Sequence, residues 1–485
     1  MRKASPTYCR RFLWKPWILL LLVPLLQSCL VVKPYERPEL ELQNLYRNFN
    51  NNDTTTLAAI PWPELFSDPH LRNLIETGLQ NNLELATAYQ NILIAEADFR
   101  QGRAAFLPSL DINGNASSSE LAENSIMGRQ FRGNDDNNGP PPGRVQQYEL
   151  LGNLSWEADI WGRIRSLREA RAAALQQNQA AYRAVQTRLV ANIASAYYRL
   201  LALDAQLRIA EQTVETRQNS LITITKLQRA GNETALAIKQ QEAQIYTARI
   251  LQVDLKQQIA QLENRVSTLL AVPPGPVARG SLQEQLQEVP IAAGVPSQLL
   301  RNRPDVLEAE YALISAFELT NVARADFYPR LALSAEAGFQ SLNFSSWISS
   351  ASLYNSIAAG LTAPIFRRRQ LRTNYEINQA QQQQALLNFE STLRTAGREV
   401  SDALVTYQAE SEKYELREKQ VETLTTAEDY ANKLLVNGYA NYLEVLRATD
   451  EKLAAQLELV NTQYNQMDAL VTLYRALGGG WSREE

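Results

Sequence analysis

The chain is poor in the side chains that most soft chemistry requires: 485 residues hold two cysteines, three methionines and one histidine. A Ser/His/Asp relay would have to use His70, and no second histidine or cysteine lies near it in sequence to build a metal cluster; His70 reads as an ordinary residue at a helix start. There is no phosphate-loop motif and no clustered His, Cys or Asp set, so no catalytic, cofactor-binding or metal residue is assigned. Positive charge is also short: 48 Lys and Arg against 52 Asp and Glu give a formal net charge of −4, which argues against nucleic acid as a partner. Long apolar runs are missing too. Beyond the first thirty residues none reaches the roughly 18 that a membrane helix needs, so a chain of this kind that crosses a bilayer crosses it with strands.

Glycine and proline are absent from one stretch in particular, the 68 residues from Arg163 to Ala230. A continuous helix of that length would run roughly 100 Å, wider than any compact domain. Its apolar residues alternate in steps of three and four, the rhythm of a coiled coil: Ile193, Ala196, Leu200, Leu203, Leu207, Ala210, Val214, then Leu221 and Ile224. Arg217 interrupts the row and is expected to face water or a neighbouring subunit. Such a helix needs long partner helices to cover its seam.

Residues 1–28 have the build of a secretory signal. Arg2, Lys3, Arg10, Arg11 and Lys15 make a basic start, and Trp17 to Leu26 forms a short apolar core. The segment ends in Leu26-Gln27-Ser28-Cys29, which resembles a bacterial lipobox, with Cys29 becoming the acylated, palmitate-bearing first residue; Leu30 after it suggests sorting to the outer membrane. Cleavage removes Cys9, leaving Cys29 with no disulfide partner. It also deletes five positive and no negative charges, taking the formal charge from −4 to −9. Several acyl chains on one cysteine give stable membrane anchorage.

Residues 29–63 read as an extended, lipid-anchored lead, rich in Pro and in the Asn50 to Thr56 polar cluster. A helix is expected from about His70 to Phe106, ending before Pro108. Then the period changes to two: Leu110, Ile112, Gly114 and Ala116 alternate with polar residues, and after a Gly/Asn/Pro-rich loop (Gly133 to Gly143) Tyr148, Leu150, Leu154 and Trp156 do the same. The long helix follows, turning at Gly231 into a return helix within Asn232 to Val272. A linker, 273–296, leads into the second half.

The second half repeats the first. Arg103 to Leu110 recurs as Arg324 to Leu331, each at a junction from helix to strand. Helix over Ser297 to Phe327, strands around Leu331 to Phe339 and Leu353 to Leu361, helix from Ile365 to Asn437, a turn at Gly438 and a last helix to Leu477 complete it. That last helix carries the heptad row Leu443, Leu446, Asp450, Leu453, Leu457, Val460, Tyr464, Met467, Val471, Tyr474, with Asp450 its one charged member. The repeats span 64–272 and 297–485. Four amphipathic strands cannot close a barrel, so copies must combine, two giving eight strands and three giving twelve.

The lipobox at Cys29, Phe66-Ser67-Asp68-Pro69, Leu107-Pro108-Ser109-Leu110, Trp161-Gly162-Arg163, the linker motif from Val295 to Val306, Phe327-Tyr328-Pro329 and the tail Leu473 to Trp481 together resemble the TolC/OprM-type outer-membrane factors, in their lipoprotein branch. The resemblance covers nearly all the mature chain. It implies a mostly α fold with membrane β: a homotrimer whose twelve-stranded β-barrel is continuous with a long α-helical coiled-coil periplasmic tunnel, two structural repeats per chain. It further implies a passive conduit in the bacterial outer membrane, partnered by a periplasmic adaptor and an inner-membrane efflux pump. The linker Pro296 to Val306 points to pumps of the resistance-nodulation-division class. The resemblance places Gly231, Thr234 and Gly438 at the periplasmic tips where adaptors dock. It places Glu444 at a pore-facing position, where three copies would make an acidic ring.

Two departures stand out. Arg447 occupies a position where a second acid is often found, and Glu444 and Arg447, three apart on a helix, are spaced to pair. Phe366-Arg367-Arg368-Arg369 stands where an acidic residue and glycines are usual. A lipid-anchored periplasmic adaptor or coiled-coil scaffold is the rival reading, but an adaptor is expected to have one hairpin flanked by small β-domains, against two hairpins and two strand pairs here. The substrate stays open among drugs, metal ions, lipids and signalling molecules.

Overall fold

The computed structural model describes residues 31–40, 45–47, 55–122, 124–126, 144–285 and 293–481; the signal segment, Cys29 and the Gly133–Gly143 loop lie outside them. Its main elements are α1 (Pro69–Asn81), α2 (Leu83–Ala104), β1 (Ser109–Glu120), β2 (Arg144–Ala158), α3 (Arg163–Arg229), α4 (Ala235–Leu269), α5 (Pro304–Ala325), β3 (Arg330–Ser341), β4 (Leu353–Thr362), α6 (Gln370–Val436) and α7 (Tyr442–Ala476). The long helices α3 and α6 have 67 residues each, the return helices α4 and α7 have 35 each, and α2 and α5 have 22 each. No helix among the described residues is long and apolar enough to cross a membrane.

Two expected helices are broken in the structure. The one expected from His70 to Phe106 stops at Asn82, whose backbone leaves the helical region. The Asn82 carboxamide accepts from the Leu85 N–H at 2.9 Å, capping α2, and donates to the Leu269 carbonyl at 2.8 Å. An Asn that satisfies a free helix N–H competes with helix continuation. The helix expected over Ser297 to Phe327 breaks at Arg303, held extended by Pro304. His70 sits exposed at the start of α1, where its N–H is bonded to Asp68 at 2.8 Å.

The chain divides into two compact units. One comprises Met1–Arg37, Glu96–Ala173 and Leu313–Gln384. Its strands form one four-stranded antiparallel sheet in the order β1-β2-β3-β4. Besides the two hairpins, β2 pairs with β3, Tyr148 opposite Ser341 through Ala158 opposite Leu331. At the closest approach Gly338 is required, since a Cβ there would lie 2.0 Å from the Leu150 carbonyl oxygen. One face is apolar and uncovered: Leu110, Ile112, Ile357 and Leu361 are all exposed, Ile357 to 87%. Aromatic groups gather at both strand ends. At one end Tyr148, Phe344 and Trp347 stack within 5.4 to 6.1 Å. At the other, Trp161 lies 5.1 Å from Tyr328 and donates to the Pro329 carbonyl at 2.6 Å. Where relatives are expected to carry glycine after β4, Arg368 and Arg369 adopt φ of 48° and 67°. The left-handed turn is kept without the residue that makes it easy.

The other unit comprises Pro38–Ala95, Ala174–Ala312 and Ala385–Glu485. The α3 seam is buried as its rhythm requires, at Ile193, Leu200, Leu203, Ala210 and Ile224. The linker is fixed to α3 and α4 by Arg279, which bonds Asp204 at 3.0 Å and Glu263 at 2.6 Å. Two side chains depart from expectation. Arg217 does not face water or another subunit: it is buried, with 3% of its surface exposed. Leu443, expected in the α7 seam, is exposed instead, because α7 starts at Tyr442 on the Asn441 cap and turns Tyr442 and Val445 inward.

Candidate functional site

The helices α3 and α6 end in the same way. At the first turn the Gly231 N–H bonds the Gln228 carbonyl at 3.0 Å and the Asn232 N–H bonds Leu227 at 2.9 Å; at the second, Gly438 bonds Leu435 at 3.1 Å and Tyr439 bonds Leu434 at 2.9 Å. This six-to-one closure needs a left-handed residue, and φ is 82° at Gly231 and 78° at Gly438. Each returning helix then starts on a side-chain cap: Thr234 accepts from the Ala237 N–H and Asn441 from the Glu444 N–H, both at 3.2 Å. Gly231, Thr234 and Gly438 line one cleft of about 380 Å³, together with Asn232, Leu435 and Asn441. The three residues assigned to the tips from sequence are therefore brought together.

Beside the cleft Ile224, Ala237 and Tyr442 form a small buried cluster, flanked by Ile238 and Leu446. The Tyr442 hydroxyl donates to the Gln241 side-chain oxygen. Burial pushes the phenol up to about 12, although the Arg217 charge pulls the other way. Gln241 in turn donates to the Arg217 carbonyl at 2.6 Å. The Arg217 guanidinium donates to the Gln244 carbonyl at 2.6 Å and to the Asp450 carboxylate at 2.6 Å. Residues of α3, α4 and α7 thus share one polar network, in which both terminal nitrogens of the buried guanidinium are bonded while its Nε is left without a partner among the described residues.

Sequence reading did not assemble this network, although it contained a signal. Arg217 and Asp450 are the charged members of two otherwise apolar rows, and they carry opposite charge. Glu444 and Arg447, spaced so that they could pair, do not: Arg447 bonds Glu451, one turn on, at 2.8 Å. Both Glu444 and Arg447 are exposed, and Glu451 holds the Arg447 guanidinium above its usual range. Among the described residues no group of three or more His, Cys, Asp or Glu is arranged to hold a metal ion.

The model of the family "Outer membrane efflux protein" matches residues 74–272 and 295–479. The chain belongs to this family. It is 31% identical over 474 residues to the toluene efflux pump outer membrane protein TtgF of Pseudomonas putida, covering 94% of this chain and 95% of that one. It is 29% identical over 463 residues to the cation efflux system protein CusC of Escherichia coli, covering 94% and 97%. Among solved structures, the open-state MtrE outer membrane channel of Neisseria gonorrhoeae superposes with a TM-score of 0.82 at 25% identity, covering 94% of this chain and 99% of that one. The network of Arg217 and Asp450 and the paired tip turns are therefore features of an outer-membrane efflux protein.

Proposed function

We propose that this outer membrane efflux protein is the passive outer-membrane channel of a tripartite efflux system. In this reading three chains supply twelve strands to a barrel and their helices to a periplasmic tunnel, and small molecules pass from an adaptor and an inner-membrane pump, of the resistance-nodulation-division class, to the outside. The carrying observation is the four-stranded sheet: its apolar face is uncovered and its edges, β1 and β4, have no strand partner among the described residues. An open edge in lipid leaves backbone groups unpaired, so closure calls for further copies. Aromatic groups at both strand ends suit the two interfaces of a membrane.

The identical lengths of α3 and α6, of α4 and α7, and of α2 and α5 support two internal repeats, 64–272 and 297–485, joined by the linker 273–296. Residues 1–28 are the signal, and 29–63 are the lead that a lipid on Cys29 ties to the outer membrane. The cleft at Gly231, Thr234 and Gly438 is the adaptor docking place, and Glu444 with Arg447 lies at the pore constriction. No catalysis is required of such a conduit. TtgF and CusC, named for toluene and for cations, differ in cargo, which suits a channel that passes what its pump delivers.

Fractionation and bilayer recording test this together. The protein should travel with the outer membrane, run as a trimer when unheated, and open single channels in planar bilayers. Recovery with the inner membrane as a monomer without conductance would instead favour the adaptor reading.

A further inference from the structure

The turn that joins β4 to α6 spends its conformation on charge. Arg368 and Arg369 hold two consecutive left-handed φ angles, 48° and 67°, a strain that L side chains seldom accept and that persists where surrounding structure or function requires it. Arg369 lies 3.1 Å from the Glu376 carboxylate and Arg372 lies 3.5 Å from it. Arg330 bonds Asp326 at 2.6 Å. Arg367 and Arg368 are exposed, and among the described residues neither has a carboxylate partner. Both line a cavity of about 630 Å³ together with Arg330, Asp326, Thr362 and Asn374. Asp326 offsets Arg330, so two positive charges are left over. The cavity also borders the start of α6 at Gln370, a 67-residue helix whose N-terminal end adds positive potential.

Immediately before the arginines come Ile365 and Phe366, 97% and 83% exposed. They follow β4, whose Ile357 and Leu361 present the uncovered apolar face. An apolar pair next to an unpaired cationic pair, at the end of a strand with a bare apolar face, matches the boundary between acyl chains and headgroup phosphates. A free phosphate would need the arginines and the cavity, and would leave Ile365 and Phe366 without a purpose.

We propose that this cavity is a binding site for an anionic glycerophospholipid: Arg367 and Arg368 take the headgroup phosphate, while Ile365 and Phe366 lie against the acyl chains. The proposal rests on the channel reading, since it places the β4 end at a membrane boundary.

The test uses the full-length, detergent-purified protein and native mass spectrometry. The probes are dioctanoyl phosphatidylglycerol, dioctanoyl phosphatidylcholine and inorganic phosphate. Wild type should retain phosphatidylglycerol in preference to phosphatidylcholine. Arg367→Gln should weaken that retention about fivefold, and adding Arg368→Gly should weaken it about fivefold again. The second substitution places glycine where φ is 48°, so it relieves strain and leaves folding intact. Equal retention of the two lipids, unchanged retention in the double variant, or competition by inorganic phosphate as effective as by lipid would each overturn the site. Loss of the oligomer in the variants with lipid retention unaltered would overturn it as well, and would assign Ile365 to Arg368 to contact with a second copy of the chain. Fractionation separates the two levels: wild type absent from the outer membrane removes the channel reading and this site with it, whereas wild type present there without anionic preference removes the site alone.

Discussion

Arg217 of α3 and Asp450 of α7 meet at 2.6 Å although 233 residues separate them, and the pair is unequal. The Arg217 side chain is 4% exposed and the Asp450 side chain 42%. Removing the carboxylate strands a buried charge, whereas removing the arginine leaves an acid that can turn to water. Asp450→Ala should therefore destabilise the tip by about 2 kcal/mol, below the range for a fully buried pair because Asp450 is partly solvated, while Arg217→Met should change it by less than about 1 kcal/mol. Hydrogen exchange at the amides around Arg217 and Gln244 reads the difference. Equal acceleration in the two variants would mean that the burial asymmetry does not govern the pair.

The turn glycines give a second contrast. A Cβ at Gly231 or Gly438 would meet nothing within 4 Å, so alanine there brings only the strain of a left-handed φ, about 1 kcal/mol each. At Gly338 the added Cβ would strike the Leu150 carbonyl at 2.0 Å, and alanine should prevent β2 from pairing with β3. We expect Gly231→Ala and Gly438→Ala to assemble with a small loss of thermal stability, and Gly338→Ala to fail to appear as an oligomer on unheated gels.

Much of this fold can be read in one dimension because its elements are long and strictly periodic. The 67 residues of α3 have no glycine or proline, and its seam at Ile193, Leu200, Leu203 and Ala210 is buried as the three-and-four spacing requires. The alternation in β1 to β4 marks the strands. What periodicity cannot carry is the behaviour of single polar residues. Asn82 breaks a helix because its carboxamide finds the Leu85 N–H and the Leu269 carbonyl, a partner 187 residues away. Arg217 was legible as an interruption of a row, but its partner lies on another helix. Arg447 pairs with Glu451 and not Glu444 because an i to i+4 contact is as available as an i to i+3 contact, and spacing does not choose between them. Left-handed arginines after β4 are invisible to residue type, since φ there is imposed by the turn.

Tyr442 gives the cluster at the tip a dependence on alkaline pH. Burial lifts its folded-state pKa from the ordinary 10.0 to about 12, so the phenol stays neutral in the fold where a free one ionises. A folded-state pKa above the unfolded one stabilises fully below pH 10.0 and loses that contribution as pH rises toward about 12. The tip should loosen across that window, and Tyr442→Phe, which keeps the ring against Ile224 and Ala237, should remove this part of the pH dependence. Hydrogen exchange at the start of α7, followed beside tyrosinate absorbance, checks it. A wild-type profile that matched Tyr442→Phe throughout would show that the hydroxyl is not coupled to tip stability.

Glu444 offers the sharpest test of the pore reading. It is exposed at the start of α7, its N–H is bonded to Asn441, and Arg447 is engaged by Glu451 rather than by it. Its charge is therefore not cancelled by that arginine, which removes the objection that the two residues merely neutralise each other. In a trimer three such carboxylates around the axis would favour cations, as rings of acidic side chains do in cation-selective pores. Glu444→Gln, which keeps size and removes charge, should lower cation over anion selectivity in planar bilayers with little change in stability. Arg447→Gln should act more weakly and in the opposite sense, because its loss frees Glu451 as a further negative charge. Conductance and selectivity unaltered in Glu444→Gln would take the residue out of the constriction and leave it a solvated position on the helix.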